Sequence, residues 1–166
     1  MRLTEKTLMK LARGVIGYKK EKGYILFMRF GKNQLEFMAQ DSFDKAWLNW
    51  AQFTGGIRLE FKTDSENISF DYISSCSHER ANTVDLYIEN ELYSVYKIGE
   101  NLKGMVKFTL PSGEKKVTIY FPNESIFKIK DFEIDGNYKS LKNKRPTILA
   151  YGARLSTAYL LAPTLL

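Results

Sequence analysis

The stretch formed by residues 83–98, TVDLYIENELYSVYKI, decides how the fold of this chain is interpreted. Apolar or aromatic side chains alternate along residues 83–89 and again along residues 92–98, which is the period of a half-buried strand. Glu89-Asn90 lies between the two runs and is a turn signal. The stretch therefore predicts an antiparallel β-hairpin that buries one face.

The same alternation recurs on both sides of this hairpin, with turn signals such as Asp64-Ser65-Glu66-Asn67 and Pro111-Ser112-Gly113 between the runs. The further predicted strands are residues 57–62, 68–74, 104–110, 115–121 and 126–134. Short strands spaced about ten residues apart and joined by turns are typical of an antiparallel sandwich or barrel. Parallel pairing would need crossover helices, so we expect a mainly β, antiparallel β-sandwich.

Before this run of strands the chain is mixed. Residues 3–12 predict a short helix with Thr4 as N-cap, ended by Gly14. Residues 15–20 and 24–30 flank Gly23 and predict a first hairpin. Residues 33–53 predict one or two short helices over a sheet edge, with Asp41 or Ser42 as a cap.

Composition places the chain among soluble globular domains: it has 166 residues, 44% hydrophobic and 27% charged. The net charge of +6 is scattered, whereas nucleic-acid binders gather basic residues on one face. We therefore expect no nucleic-acid partner. The apolar segment 147–166 has nearly the length of a membrane span, but Gly152, Arg154 and Pro163 within it argue against a membrane anchor.

The N-terminus has no signal-peptide pattern, and Cys76 is the single cysteine, so an internal disulfide is excluded. Both features favour a cytoplasmic protein, although a trimmed secretion signal would leave the same sequence.

The C-terminal part changes character. Residues 136–146 are polar and Lys-rich and are interpreted as a linker, while residues 147–151 form a continuous apolar run. Such a run is typical of a strand buried on both faces in a parallel α/β sheet. The predicted organisation is a β-sandwich module at 1–135, a linker at 136–146 and the beginning of a second fold at 147–166.

Three stretches of the sandwich region carry a resemblance to a known family: GIRLEFKTDS (residues 56–65), VDLYI (84–88) followed by Glu91-Leu92, and IYFPN (119–123). Together they resemble the jelly-roll-like N-terminal β-sandwich that precedes the catalytic domain in bacterial SGNH (GDSL-like) hydrolases, some of which are carbohydrate esterases. The resemblance covers roughly residues 14–135 and implies a jelly-roll-like sandwich.

A fourth stretch, PTILAYGARLST (residues 146–157), resembles the first catalytic strand of that family and the loop that carries its nucleophilic Ser. Aligned on Tyr151-Gly152 and Leu155-Ser156, Arg154 occupies the nucleophile position. A guanidinium stays protonated and has no lone pair to offer a carbonyl carbon. The resemblance thus implies the front module of a two-part esterase, truncated after the first catalytic strand, without a catalytic residue or cofactor of its own.

Two further groups of residues are candidates for function. Cys76 and His78 would share a face on a strand, as a nucleophile and a base could, or Cys76 fills the core and His78 sits in a polar loop. One His and one Cys are too few for a zinc site, and we expect no metal. Asp64, Ser65 and Asp85 are interpreted as ordinary backbone-capping residues.

On the strength of the resemblance, Tyr72, Tyr93 and Tyr96 are candidate carbohydrate contacts, because exposed aromatic rings stack on sugars; the alternative is that they are core residues. Two functions stay open. The chain is an accessory module that positions an acylated carbohydrate, or it is an interaction module that dimerises through an apolar edge or through residues 147–166. That segment is expected to pack on the sandwich or on a second copy of the chain.

Overall fold

The structure, a computed structural model, describes residues 1–40, 45–75, 82–100 and 102–141. The described residues therefore do not include several positions for which predictions were made: Asp41, Ser42, Cys76, His78, Arg154 and the segment 147–166. The described part contains three helices and eleven strands. They are α1 (Glu5–Leu11), β1 (Ala12–Arg13), β2 (Gly17–Glu21), β3 (Tyr24–Met28), α2 (Lys32–Ala39), α3 (Lys45–Trp50), β4 (Arg58–Thr63), β5 (Asn67–Ser74), β6 (Thr83–Ile88), β7 (Glu91–Lys97), β8 (Lys103–Thr109), β9 (Lys115–Tyr120), β10 (Phe127–Ile134) and β11 (Tyr138–Ser140).

The strands form two antiparallel sheets that pack face to face. One sheet has the order β2-β3-β10-β5-β8, and the other has the order β1-β4-β9-β6-β7, with β11 also paired to β4. Within the described residues, the strand pairings of both sheets are antiparallel. The predicted mainly β sandwich with short N-terminal helices is confirmed, and neither sheet closes into a barrel.

Local sequence explains the first elements. Thr4 Oγ1 accepts a hydrogen bond from the Thr7 backbone N–H at 3.3 Å, so Thr4 is the N-cap of α1 as predicted. Leu8 and Leu11 are buried on the inner side of this helix. The β2–β3 turn places Lys22 and Gly23 at φ angles of 50° and 83°, the left-handed pair that a two-residue hairpin loop requires.

The core consists of the inward-facing residues of both sheets. In β5 the buried and half-buried positions alternate, and Ile68, Phe70 and Tyr72 point inward. Phe70 stacks on Phe132 with ring centroids 5.2 Å apart and meets the edge of Phe121 at 6.4 Å. These rings join the two sheets, because Phe70 and Phe132 lie on one sheet and Phe121 follows β9 of the other.

Strand β10 contains a bulge that the sequence alternation did not reveal. Its register against β5 shifts between Lys130 and Glu133, and Asp131 adopts a φ of 54°. The inward positions are Phe127 and Ile129 before the bulge and Phe132 and Ile134 after it. The extra residue therefore keeps both ends of the strand in the core.

Part of the segment predicted to be a linker, residues 136–146, is a strand. Tyr138–Ser140 forms β11, whose Tyr138 pairs with Thr63 and whose Ser140 pairs with Phe61. Lys-rich polarity suggested a linker, but an edge strand is partly solvated and accepts the same residues. The sandwich accordingly extends past residue 135.

Helices α2 and α3 lie over the β2–β3 side of the first sheet, as the helical spacing predicted. A small cavity there is lined by Leu26, Met28, Leu35 and Ala51. Arg29 ties the end of α3 to the strands by donating to the backbone oxygens of Trp50, at 3.3 Å, and Gly55, at 3.2 Å. Burial lowers the pKa of Arg29.

Candidate functional site

The three tyrosines predicted to contact carbohydrate do not form one surface. Tyr72 is only 2% exposed and stacks on Phe127 at 5.5 Å. Burial, followed by a hydrogen bond with Tyr96, raises the pKa of Tyr72 to about 12. Gly104 leaves room for this ring, since a Cβ there would lie 3.0 Å from Tyr72 Oη. Tyr72 is therefore a core residue whose ring faces are not accessible to a sugar.

The other two tyrosines lie on β7, at the edge of the second sheet. Tyr96 is half-buried and meets the edge of the Tyr72 ring at 6.0 Å. Tyr93 is 50% exposed, and it is the extra residue where the register of β7 against β6 shifts. Of the three predicted residues, Tyr93 offers the most accessible ring.

Pairing of β6 with β7 and β9 assembles a second group of side chains on the outer face of the same sheet. Asp85 pairs with Val95 on one side and with Tyr120 on the other, and Tyr87 pairs with Leu92 and Thr118. Directly paired residues share a face. We call the surface formed by Asp85, Tyr87, Leu92, Val95 and Tyr120 the tyrosine face.

Aromatic contacts and exposed aliphatic side chains define this face. The Tyr87 and Tyr120 rings meet edge to face at 5.3 Å, and the guanidinium of Arg58 lies 5.7 Å from the centre of the Tyr120 ring. Leu92 is 55% exposed and Val95 is 43% exposed. The tyrosine face is thus a partly apolar surface with a cation at one end.

Asp85 is the unusual member of the face. Its Oδ1 atom is buried and has no hydrogen-bond partner. Burial, followed by the charges of Asp85 and Tyr120, raises the pKa of the neighbouring Tyr87. A buried polar atom without a hydrogen-bond partner costs free energy of folding. The expected backbone-capping role is therefore not performed by this oxygen.

A charged network borders the tyrosine face. Glu60 contacts Lys116 at 2.8 Å, Arg13 at 3.7 Å and Arg58 at 3.9 Å. Burial opposes the ionisation of Glu60, but the hydrogen bond and charge of Lys116, aided by both arginines, outweigh it and lower the pKa of Glu60. This network keeps Arg58 beside the ring of Tyr120.

The predicted capping role is confirmed for Asp64. Asp64 accepts hydrogen bonds from the Asn137 backbone N–H, at 2.6 Å, and from Asn137 Nδ2, at 3.0 Å. Asp135 does the same for the opposite turn, accepting from the N–H groups of Glu66 and Asn67 and from Asn67 Nδ2. We call these two reciprocal turns the aspartate clasp.

The clasp uses its carboxylates and hydroxyls structurally. The Asn137 side chain, followed by its backbone N–H, lowers the pKa of Asp64, and Asn67 lowers the pKa of Asp135 in the same way. Ser65 Oγ accepts from the Gly136 N–H at 3.0 Å, and Thr63 Oγ1 donates to Ser65 Oγ at 2.7 Å. The Thr-Asp-Ser turn singled out in the sequence therefore joins β4 to the turn after β10.

Over the described ranges, no group of three or more His, Cys, Asp and Glu side chains could hold a metal ion. Within those same ranges, none of the helices is long and apolar enough to cross a membrane.

Comparison with known proteins relates the fold to two larger enzymes. The chain is similar to the salicylyl-acyltransferase SsfX3 from a tetracycline biosynthetic pathway, with a TM-score of 0.69 and 18% identity over 81% of this chain. It is also similar to a protein from Bacteroides ovatus described as a GDSL-like lipase, with a TM-score of 0.56 and 15% identity over 80% of this chain. This chain spans 40% of the first enzyme and 41% of the second. No protein-family model and no curated protein sequence matches it.

Sequence reasoning missed Tyr120 and the grouping of Asp85 with the tyrosines. The signal was present only in the pairing of β9 with β6, because residues 85 and 120 are far apart in the chain and meet through strand register. Neither alternation nor turn chemistry specifies which strands become neighbours across a sheet.

Proposed function

We propose that this chain is a non-catalytic accessory module of an SGNH/GDSL-type esterase or acyltransferase. The observation that carries the proposal is the fold: most of this chain superposes on about two fifths of a salicylyl-acyltransferase and of a GDSL-like lipase. The stretches at residues 56–65, 84–88 and 119–123, which resemble the N-terminal sandwich of SGNH hydrolases, support the same assignment.

The hydrogen bonds of the polar side chains support the absence of catalysis, because several candidate groups are occupied by structural partners. Asp64 and Asp135 are occupied by backbone and Asn donors in the aspartate clasp. Ser125 Oγ, which is buried, contacts Ser74 Oγ at 2.6 Å and accepts from the Ser75 N–H. The position that resembles the family nucleophile is Arg154, which cannot attack an ester.

Esterase assays test this directly. We expect no hydrolysis of 4-nitrophenyl acetate above background by the purified chain, by Arg154→Ser or by Cys76→Ala, with an active SGNH esterase as the positive control. Clear turnover by the wild-type chain that Cys76→Ala abolishes would overturn the proposal, since it would establish Cys76 as a nucleophile.

The module's contribution to its enzyme is proposed to be positioning of an acylated carbohydrate on the tyrosine face. Tyr87 and Tyr120 offer aromatic surface, and the Arg58 guanidinium beside Tyr120 offers N–H donors for sugar hydroxyls. The exposed Leu92 and Val95 favour the alternative function, an interaction module, because apolar side chains beside an edge strand suit a protein partner.

Titration with acetylated and unacetylated oligosaccharides, followed by NMR or calorimetry, separates the two functions. Tyr120→Ala should weaken carbohydrate binding at least tenfold, whereas Tyr18→Ala, an exposed tyrosine on β2 of the other sheet, should leave it unchanged. Equal binding by all three proteins, or none by the wild-type chain, rejects carbohydrate positioning and favours the interaction module.

A further inference from the structure

The edges of the two sheets differ in how they are protected against pairing with another strand. Edge strand β2 carries Lys19 and Lys20 in its interior, and β8 carries Lys107 between exposed positions. β11 has only three residues, with Lys139 at its centre. Short length and inward or central lysines are the means by which sheets block edge-to-edge association.

Edge strand β7 has a bulge at Tyr93, another device that protects edges, but it has no lysine in its interior. Its seven residues carry charge only at the two ends, Glu91 and Lys97, and the five residues between them are Leu-Tyr-Ser-Val-Tyr. β7 pairs with β6 on one side and ends the sheet on the other. The bulge at Tyr93 lies near the start of the strand, and Ser94–Lys97 continue in regular register with β6.

Among the residues that the structure describes, no strand pairs with the side of β7 that faces away from β6. The Ile98 N–H donates to the Asn82 oxygen at 3.0 Å, so the backbone of residue 98 points toward the β6 side. Because backbone groups alternate along a strand, those of Lys97 and Val95 point away from β6. An added strand would find donors and acceptors at these positions.

We propose that β7 is a self-association edge, at which β7 of a second copy of this chain pairs antiparallel to form one continuous sheet. The inference stands apart from the proposed accessory function. The choice of occupant rests on charge: antiparallel pairing brings Glu91 of each copy to the Lys97 end of the other copy, whereas parallel pairing brings like charges together.

Centring the pairing on Ser94 brings the apolar middle of one β7, including the exposed Tyr93 and Val95, against the same part of the other copy. Seven-residue strands span only about 23 Å, so the interface is small and the expected dimer dissociates in the micromolar range.

The test is sedimentation velocity of the full chain from about 1 to about 200 µM, the range in which such an interface is half-formed. We expect the wild-type chain to shift from monomer to dimer across this range. Val95→Lys places a charge in the middle of β7 and should abolish the shift. The matched control is Met105→Lys on β8, whose exposed fraction of 47% is close to the 43% of Val95, and this variant should still dimerise.

Exchanging the charges of Glu91 and Lys97 distinguishes a dimer that forms through β7 from a dimer that forms through another surface. Glu91→Lys and Lys97→Glu should each weaken the dimer severalfold, and the double variant should recover it, because the two residues face each other between copies. Circular dichroism confirms that each variant is folded. A wild-type chain that stays monomeric, a dimer that survives Val95→Lys, or a double variant no better than the single ones overturns the proposal.

Discussion

The interior phenylalanines and the tyrosine face use aromatic rings in two different ways. In the interior, Phe70 lies between Phe132 and Phe121 and is 1% exposed. On the outer face, Tyr87 and Tyr120 meet edge to face beside Arg58, with water on one side. Both groups contain close ring pairs, but only the first is removed from water entirely.

Ring contact alone therefore does not measure the stability that an aromatic side chain contributes. Burying an aromatic side chain contributes through the apolar area withdrawn from water and the packing of a filled core, whereas an exposed ring pair adds only the modest interaction between the rings. The interior rings should therefore hold the sandwich together, while the tyrosine face is free to serve binding.

The largest effect should come from the interior. Phe70→Ala removes the ring that connects both sheets, and we expect it to lower the free energy of unfolding by about 3–5 kcal/mol. Tyr120→Ala, the matched change on the outer face, should cost about 1 kcal/mol. Urea denaturation measures both, and comparable losses in the two variants would contradict the contrast between the regions.

A smaller effect should come from the aspartate clasp, which is exposed but densely hydrogen-bonded. Asp64 and Asp135 have lowered pKa values in the folded chain because of the Asn137 and Asn67 donors. In the unfolded chain the pKa of Asp is about 3.9. Near that pH the unfolded chain therefore binds more protons than the folded chain. The contribution of the clasp is therefore present above that value and is lost as the pH falls through the lower folded pKa.

Thermal unfolding between about pH 6 and about pH 2 tests the clasp over the window in which its carboxylates titrate. Asp64→Asn and Asp135→Asn should each reduce the acid-induced fall in Tm. Asp71→Asn is the control, since that carboxylate lies on β5 outside the clasp. Identical pH profiles for all four proteins would mean that the clasp does not couple protonation to folding.

The smallest effect on stability is expected at Asp85. Asp85→Asn removes a charge whose Oδ1 atom is buried without a hydrogen bond, so the free energy of unfolding should stay within about 1 kcal/mol of the wild-type value or rise slightly. A loss above about 2 kcal/mol would instead mean that Asp85 has a stabilising partner within the fold, and the tyrosine face would no longer be set apart from the interior.

Much of the fold was predictable because its local signals agree with one another. The strands β4 to β10 occur within one or two residues of the predicted runs, and Thr4 caps α1 as expected. The β10 bulge escaped prediction because two inward residues before it and two after it each obey the alternation separately. β11 escaped because Tyr138–Ser140 depends on the exposed edge of β4 and has little pattern of its own.

The candidate site was less predictable than the fold. Tyr72, Tyr93 and Tyr96 were selected as aromatic residues without knowledge of their exposure, and the structure buries Tyr72 while leaving Tyr93 accessible. A strand directs alternate side chains to opposite faces of the sheet. When both faces carry aromatic residues, the sequence does not indicate which face is exposed to water.

Most of the elements, the hairpin turns and the antiparallel class follow from the sequence, because alternation, the Thr4 N-cap and left-handed turn residues act over a few positions. Only the tertiary structure decided which strands became neighbours, which edges stayed open and which tyrosines faced water. Those outcomes depend on contacts between residues far apart in the chain: Asp85 meets Tyr120 only when β6 pairs with β9, and β7 is an edge only because no other strand of the described fold pairs with its free side.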